Sequence, residues 1–410
     1  MKKLFILIVA LTFVFAALPA FAQDKAEWNW YGSIRMWTAW EMADKETQKA
    51  SNLSSGSRAR GWSALTAPGV FELQDDDHLD WQLQTNSRLG VNVKWGSVGG
   101  KVEFGHDGDP TWSGSRDVRA SFRVLSATWN FGSGTLLIGK NYTPFFFLVS
   151  NLCGPGGGEC NGIGFGSIYG GRRAQIGLQF GGFKIAAVEP EFRNNPSDAV
   201  TRAPWAPPAA NGVDTDNWLP RLEASYTFNL GPAALYAGGL YQTYDIEVGS
   251  TTGVQTVSTD SWALALGART AFGPLYVNGT AIYGNNIQEA GASTVLQFAR
   301  SLIDPVTLNT EDNTYLSAQL VLGFKVMDSL SFEGGVIYQK GMADIPLATG
   351  GDVSQIEWVY YINATWSPAK NVFIVPEIGI IDNGEIKIAQ EPDNDLGKMT
   401  WIGIKWMINF

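Results

Sequence analysis

The sequence of 410 residues is poor in the side chains from which enzymes build hydrolytic and metal-dependent sites. It contains two histidines, His78 and His106, and two cysteines, Cys153 and Cys160. Neither histidine lies in a triad motif or at a metal-ligand spacing. Two thiolates alone do not complete a tetrahedral metal site. We therefore predict a protein that is not an enzyme and holds no metal and no cofactor.

Long apolar runs are also missing after the first 22 residues, which excludes a bundle of transmembrane helices. The chain begins with two lysines close to Met1, an apolar stretch over residues 4–19 and the tripeptide Ala-Phe-Ala at 20–22. These are the three parts of a secretory signal peptide. We predict a cleaved signal peptide at 1–22 and a single exported domain at 23–410. An uncleaved membrane anchor is the alternative, but no charged stop-transfer cluster follows the short apolar run.

Charged residues make up only 17% of the chain, and the acidic ones are in excess. The formal net charge of −10 argues against nucleic acid as a partner. The acidic residues are concentrated near 75–77, 214–216 and 391–395, which indicates exposed loops.

The two cysteines lie on either side of a glycine-rich hexapeptide, residues 154–159. An exported protein matures in an oxidising compartment. We therefore predict a local disulfide between Cys153 and Cys160.

The chain is rich in segments of about ten residues in which apolar and polar side chains alternate, bounded by glycine, proline or asparagine. In the first segment the apolar set is Trp28, Trp30, Ile34, Met36 and Trp40, and the polar set is Asn29, Ser33, Arg35 and Glu41. Alternation with a period of two predicts a β-strand. Each segment therefore predicts a strand with one apolar and one polar face.

The connections between these segments alternate between short and long. Seven are short, at 96–100, 132–134, 181–182, 231–232, 273–274, 328–329 and 367–370. Eight are longer, at about 42–80, 105–117, 142–172, 190–219, 247–260, 285–313, 341–355 and 382–398. Together they join sixteen strands, with both chain ends on the short-turn side.

This order predicts an all-β fold, a 16-stranded antiparallel transmembrane β-barrel with short periplasmic turns and long external loops. A soluble β-sandwich is the alternative. A sandwich, however, has no reason to keep all its long loops at one end.

One segment, 116–131, conflicts with the pattern. If Leu125 and Trp129 face outward, the same parity directs Arg119 and Arg123 toward lipid, where a charge costs about 2–4 kcal/mol in a barrel. We therefore expect either a β-bulge near Arg123 that reverses the facing or a strand that extends above the membrane.

Two short motifs resemble those of a known family. The last strand carries Phe410, Ile408 and Trp406 on one parity, which resembles the signature that the barrel-assembly machinery of Gram-negative bacteria recognises. The run GKNYTPFFF at 139–147 is similar to the one that leads into the constriction loop of general, trimeric, 16-stranded porins. The resemblance implies an outer-membrane homotrimer whose third loop, 141–172, folds into the barrel.

The predicted function is a water-filled channel for passive diffusion of small hydrophilic solutes and ions, with outer-membrane lipid and lipopolysaccharide as partners. The candidate pore-lining and constriction residues are Arg35, Arg88, Lys94, Arg123, Arg173, Arg221, Arg269 and Glu159. In one hypothesis Arg35, Arg88, Arg123 and Arg173 form a basic wall opposite Glu159, and the pore prefers anions. In the alternative, these arginines pair with loop carboxylates and play no part in selectivity.

Two other functions are compatible with the sequence. A substrate-specific channel for sugars, phosphate or organic acids would show saturable block of conductance by one solute. A structural or adhesive envelope barrel would have a closed lumen and no single-channel steps.

Overall fold

A computed structural model of the protein describes residues 25–44, 76–107, 119–156, 158–190, 213–250, 253–288, 290, 302–303, 310–345, 351–388 and 394–410. The predicted signal peptide, 1–22, lies outside these residues, and so does part of the acidic segment 391–395. Within the described residues, no helix has the length and apolar character needed to cross a membrane.

The described residues form twenty-four β-strands. Their bounds are β1 Glu27–Ala43, β2 Asp76–Leu83, β3 Arg88–Trp95, β4 Val98–Asp107, β5 Arg119–Asn130, β6 Thr135–Tyr142, β7 Phe146–Phe147, β8 Ile168–Tyr169, β9 Arg172–Phe180, β10 Phe183–Val188, β11 Val213–Asp216, β12 Arg221–Leu230, β13 Ala233–Ser250, β14 Gly253–Phe272, β15 Leu275–Asn285, β16 Leu302–Ile303, β17 Thr310–Glu311, β18 Asn313–Met327, β19 Leu330–Ile345, β20 Gly351–Ala369, β21 Val372–Asp382, β22 Glu385–Ile388, β23 Asn394–Asp395 and β24 Lys398–Asn409.

Twenty of these strands belong to one sheet. Each strand of this sheet pairs antiparallel with its neighbours, and the sheet closes into a barrel. The pairs β2 and β3, β11 and β12, β21 and β22, and β23 and β24 are successive parts of four long strands, which leaves sixteen strands around the barrel. The last strand, β24, pairs with β1 from Ser33 opposite Asn409 to Ala43 opposite Met399. The predicted 16-stranded antiparallel barrel is confirmed, and the sandwich is excluded.

The short connections are tight hairpin turns, as predicted. Gly96, Gly181, Gly231 and Gly273 begin four of the two-residue turns, with φ between 57° and 60°. Hairpin turns of the type that matches the twist of the strands need positive φ, which glycine adopts without a steric penalty. The sequence therefore fixes where the chain reverses on this side of the barrel.

Two predicted long loops, 247–260 and 341–355, are largely strand. Pairing of β13 with β14 continues to Ser250 opposite Gly253, and pairing of β19 with β20 continues to Ile345 opposite Gly351. These segments lack an apolar face, so the alternation pattern did not reveal them. Backbone hydrogen bonds extend such hairpins beyond the apolar band, where no apolar face is needed.

The two faces of each strand meet different environments. In β18, the side chains of Tyr315 and Gln319 are buried inside the barrel, whereas Leu316, Leu320 and Leu322 are exposed on the outside. A contiguous outer surface of this kind is stable only against lipid.

The conflict in segment 116–131 is resolved by a β-bulge at Arg123. Glu103 pairs with Val124 and Phe104 pairs with Phe122, so that Arg123 is the extra residue of β5. Phe122 is exposed on the outside of the barrel, while Arg123 is buried. The expected bulge is confirmed, and it directs the guanidinium away from lipid.

Candidate functional site

The third loop, residues 143–156 and 158–171 between β6 and β9, lies inside the barrel. Phe145, Leu152 and Ile168 of this loop are fully buried among side chains that face inward from the wall. A surface loop would instead expose most of its side chains. The expected inward folding of the third loop is confirmed.

Glutamates of the wall hold the backbone of this loop. Four of them accept hydrogen bonds from its N–H groups: Glu223 from Phe145 (2.8 Å), Glu333 from Asn151 (2.7 Å), Glu377 from Cys153 (3.1 Å) and Gly154 (2.9 Å), and Glu41 from Gly156 (2.7 Å). Buried N–H groups of irregular chain need acceptors, and a carboxylate is a strong one. The four glutamates, on β12, β19, β21 and β1, therefore define the path of the loop across the lumen.

Cys153 and Cys160 form a disulfide that closes the tip of the third loop. Asn86 of the wall donates a hydrogen bond from Nδ2 to the Glu159 carbonyl (2.6 Å). The tip packs in an apolar cluster with the inward-facing Trp37 and Trp401. The tip is thus fixed against the wall on both its polar and its apolar side.

Glu159 lies in direct contact with two arginines. Arg123 Nη1 is 2.8 Å from Glu159 Oε1, and Arg172 Nη1 is 2.9 Å from Glu159 Oε2. Burial by itself raises the pKa of the Glu159 carboxyl, but the hydrogen bonds and charges of Arg172 and then Arg123 outweigh it and lower the pKa to about 2. Glu159 is therefore ionised at neutral pH and bridges the loop to β5 and β9.

Arg123 also contacts a second carboxylate, Glu103 of β4, at 3.0 Å. Arg88 and Lys101 approach Glu103 less closely, each at 3.9 Å. The Nε atom of Arg35 donates to Ser33 Oγ (2.9 Å), and Ser33 pairs with Arg88 across the β1–β3 ladder. Arg35, Arg88 and Arg123 are thus gathered on one part of the wall.

This group, which we call the basic cluster, contains five cationic side chains and two carboxylates. The cations are Arg35, Arg88, Lys101, Arg123 and Arg172, and the carboxylates are Glu103 and Glu159. The side chains of Arg88 and Lys101 remain 26% and 34% exposed, respectively, and face the lumen. Positive charge therefore exceeds negative charge within the cluster.

The other candidate residues lie apart from Glu159. Arg221 is fully buried, forms an ion pair with Glu223 (2.7 Å) and donates to the Gly170 carbonyl (2.9 Å), so it supports the third loop. Arg269 donates to the Leu148 carbonyl and lies over the ring of Phe147, at 4.5 Å from its centroid.

Lys94 and Arg173 complete the candidate set. Lys94 is exposed, one residue before the last residue of β3. Arg173 is half-buried on β9, on the same parity as the inward-facing Gln175, and it follows directly after Arg172.

Several functional residues were not among the candidates. Glu41 and Glu377 had the inward parity, but nothing in the sequence distinguished a glutamate that binds the loop from one that faces water. The sequence did not indicate that Arg172 faces the lumen, because it is the first residue of β9 and shares the parity of the outward-facing residues of this strand. Only the position of the loop brings Arg172 to Glu159.

Two of the cavities formed by the described residues lie in the lumen on the short-turn side of the third loop. The larger, of about 750 Å³, is lined by Leu148, Arg269, Tyr276 and Glu333 among others. The smaller, of about 370 Å³, lies against β5, β6, β9 and β10. Within the described residues no group of three or more His, Cys, Asp or Glu side chains is arranged to hold a metal ion.

The fold is similar to that of many solved structures, among them three outer-membrane proteins. The outer membrane channel DcaP of Acinetobacter baumannii is 17% identical, with 96% of this chain and all of that chain covered and a TM-score of 0.61. The in-vitro folded trimer form of the outer membrane protein OmpT of Vibrio cholerae is 14% identical, with coverages of 94% and 100% and a TM-score of 0.53. Salmonella typhi OmpF in complex with daunomycin is 11% identical, with coverages of 94% and 98% and a TM-score of 0.51.

The family assignment comes from the sequence. No curated protein matches the chain. A family model described as Gram-negative porin matches residues 8–383, which is most of its length. Together with the closed barrel and its inward-folded loop, this match shows that the chain belongs to the Gram-negative porin family and forms an outer-membrane channel for passive diffusion.

Proposed function

We propose that ions and small hydrophilic solutes pass along the basic cluster and that the pore prefers anions. The observation that carries this proposal is the imbalance within the cluster, where five cationic side chains share two carboxylates. Arg123 and Arg172 are in close ion pairs with Glu159. Arg35, Arg88 and Lys101 supply the surplus charge that an ion in the lumen meets.

The location of the surplus positive charge strengthens its effect on ion selectivity. A narrow aqueous path between low-dielectric walls focuses the field of the charges that line it. Rings or rows of charged side chains select the opposite ion in this way. The overall acidity of the chain does not oppose this preference, because ions respond to the charges nearest to their path and distant ones are screened.

Reversal-potential measurements across a salt gradient in a planar bilayer test the proposal. The wild type is expected to favour chloride over potassium, and the double variant Arg35→Gln, Arg88→Gln is expected to lose most of this preference. Lys325→Gln is the control, because Lys325 is paired with Asp328 (2.7 Å) near a short turn. A clear preference of the wild type for cations would contradict the proposal.

The other candidate residues have smaller proposed roles. We propose that Lys94 lines the short-turn mouth of the pore, that Arg269 lines the larger cavity, and that Arg173 adds charge beside the basic cluster. Arg221 serves to position the third loop, because it has no exposed surface. Single charge-neutralising variants at Lys94, Arg173 and Arg269 are expected to change the selectivity less than Arg88→Gln does.

We propose that the protein is a homotrimer. The trimer form of OmpT has a similar fold. Trp28, Trp30 and Trp81 are more than 60% exposed on the neighbouring strands β1 and β2, where an apolar protein partner can cover them. Light scattering coupled to chromatography in detergent determines the number of chains, and a monomer would refute this proposal.

We propose that the last strand directs assembly into lipid. Phe410, Ile408 and Trp406 are exposed on the outside of the barrel, and the Phe410 backbone exchanges two hydrogen bonds with Gly32 of the first strand (2.7 and 3.0 Å). Assembly in cells of the variant Phe410→Ser, followed by heat-dependent migration on gels, tests the role of the terminal aromatic ring. Equal amounts of folded wild type and variant would refute it. We also propose that lipopolysaccharide contacts the side of the barrel that carries the long loops.

We propose that the chain has no catalytic turnover. His78 Nε2 is 3.5 Å from Glu41 Oε2, and this glutamate is already occupied by the Gly156 N–H group. A structural or adhesive role without conduction fits neither the Gram-negative porin family nor the two cavities of the lumen. Single-channel steps from the refolded protein would exclude a closed barrel.

A further inference from the structure

The smaller cavity of the lumen, of about 370 Å³, exists because two neighbouring wall positions have almost no side chain. Thr128, Leu137, Gly177 and Ala186 pair in one row across β5, β6, β9 and β10. Glycine and alanine leave open the space that longer side chains would fill at the same height. The volume lies within the range of pockets that hold small organic ligands.

One side of this cavity is aromatic and apolar. Tyr142 and Phe146 line it, with ring centroids 4.6 Å apart and ring planes inclined by 48°. Leu137 and Pro144 extend this surface. Aromatic faces arranged in this way favour a second ring in an offset or edge-to-face contact.

The other side of the cavity is polar and carries one charge. Thr135, Gln179 and Lys184 pair in the next row toward the short turns. Lys184 is exposed to the lumen, and among the described residues that line the cavity it is the one charged side chain, with no carboxylate beside it. A site with a single ammonium group suits a monoanion. A doubly charged phosphate is better held by several donors or by an arginine fork.

We infer that this cavity binds monocarboxylates that carry an aromatic ring. The carboxylate is held by the Lys184 ammonium group, and the ring lies against Tyr142 and Phe146. This inference deepens the proposed function, on which it rests for the route by which the solute arrives. The larger cavity has a different character, because Arg269 and Glu333 both line it and their charges balance.

Titration of the refolded full-length barrel with benzoate, followed by saturation-transfer NMR, tests the inference directly. Saturable binding is expected for the wild type. Lys184→Gln is expected to weaken it about tenfold or more, because a charge-assisted hydrogen bond is lost. Benzyl alcohol, which has the ring but no charge, is expected to bind to the wild type more weakly than benzoate by a similar factor.

A second variant, Gly177→Leu, fills the smaller cavity with a side chain. A Cβ atom at Gly177 would lie 3.4 Å from Ala186 Cβ and 3.5 Å from the Ile185 carbonyl, so a side chain can begin here without a backbone clash, and Gly177→Leu directs its larger part into the cavity. This variant is expected to remove benzoate binding. Lys325→Gln, a lysine near the short-turn end of β18, is the matched control and is expected to bind benzoate like the wild type. Heat-dependent migration on gels reports whether each variant is folded.

Failure of this inference is distinguishable from failure of the proposed function. The inference is overturned if benzoate does not bind saturably, if Lys184→Gln binds it as tightly as the wild type, or if a folded Gly177→Leu variant still binds it. An absence of single-channel steps in the same preparation would refute the proposed conduction alone, while the titration still decides the inference. With conduction present, benzoate is expected to reduce the chloride current saturably in the wild type and not in Gly177→Leu.

Discussion

The wall of β18–β24 and the wall of β3–β6 both face the third loop, but they interact with it differently. On β18–β24 the inward polar side chains beside the loop are covered, with Gln339 and Glu377 at most 4% exposed. On β3–β6 the side chains of Arg88 and Lys101 remain about a quarter to a third exposed. One wall serves to dock the loop, and the other leaves charge in the lumen. The same inward alternation therefore supports two functions, depending on where the loop lies.

The chemistry of docking explains the difference. Glutamates on the docking wall accept hydrogen bonds from loop N–H groups, and Tyr361 and Trp401 pack beside them. On the β3–β6 wall, Glu159 of the loop contacts Arg123 of β5, and it also contacts Arg172 of β9. Substitutions on either wall test this contrast.

Glu377→Leu is expected to release the loop from the docking wall. Glu377 accepts hydrogen bonds from the Cys153 and Gly154 N–H groups and from Trp401 Nε1 (3.0 Å), all of which would lose their acceptor. We expect a loss of about 3–5 kcal/mol in the free energy of unfolding, measured in detergent. Glu385→Gln, at an exposed glutamate of β22, is the control. Unchanged stability and quiet single-channel current in Glu377→Leu would show that the loop does not depend on this carboxylate.

Arg123→Gln is expected to affect both stability and selectivity. The variant leaves Glu103 and Glu159 with fewer partners, which costs about 3 kcal/mol for a buried pair. It also removes one positive charge, so the anion preference in reversal-potential measurements is expected to fall. Arg119→Gln, at the start of the same strand, is the comparison variant. If Arg123→Gln retained full stability, the ion pairs at the bulge would not hold the loop.

Removal of the disulfide is expected to have a smaller effect. The double variant Cys153→Ser, Cys160→Ser opens a ring of eight residues, a constraint worth about 2–3 kcal/mol. The wall glutamates still hold the tip, so single-channel conductance is expected to stay close to that of the wild type. A large increase in conductance would show that the disulfide, rather than the wall, keeps the tip in place.

Because of the ion pairs of Glu159, the conductance and current noise are expected to depend little on pH between pH 5 and 8. The pKa of this carboxyl is lowered from 4.5 to about 2, so its ion pairs stabilise the loop fully above about pH 4.5 and are lost as the pH falls through about 2. Conductance and current noise are expected to be constant between pH 5 and 8 as far as Glu159 is concerned. Replacement by Glu159→Gln is expected to remove the acid transition near pH 2. A change near pH 5 that this variant abolishes would contradict the ion pairs.

Much of the fold could be predicted because lipid imposes a strict rule on it. The alternation along each strand, the glycines of the tight turns and the conflict at Arg123 all pointed to the barrel and to its bulge. The site was less predictable. Arg123 and Glu159 were both singled out, but their direct contact and the participation of Arg172 and Glu41 depend on how the loop crosses the lumen. Extended hairpins such as β13 and β14 also escaped prediction, because they lack an apolar face.

The number of strands and the inward or outward facing of most side chains in the barrel wall follow from the sequence, because the period of two and the turn residues are local properties. The loop that enters the barrel was implied by the resemblance of residues 139–147 to porins. Which inward charges remain open to solutes depends on the tertiary structure. Residues far apart in the chain, such as Glu377 and Gly154, meet only after the barrel has closed, and whether a carboxylate binds an N–H group or faces water depends on that meeting.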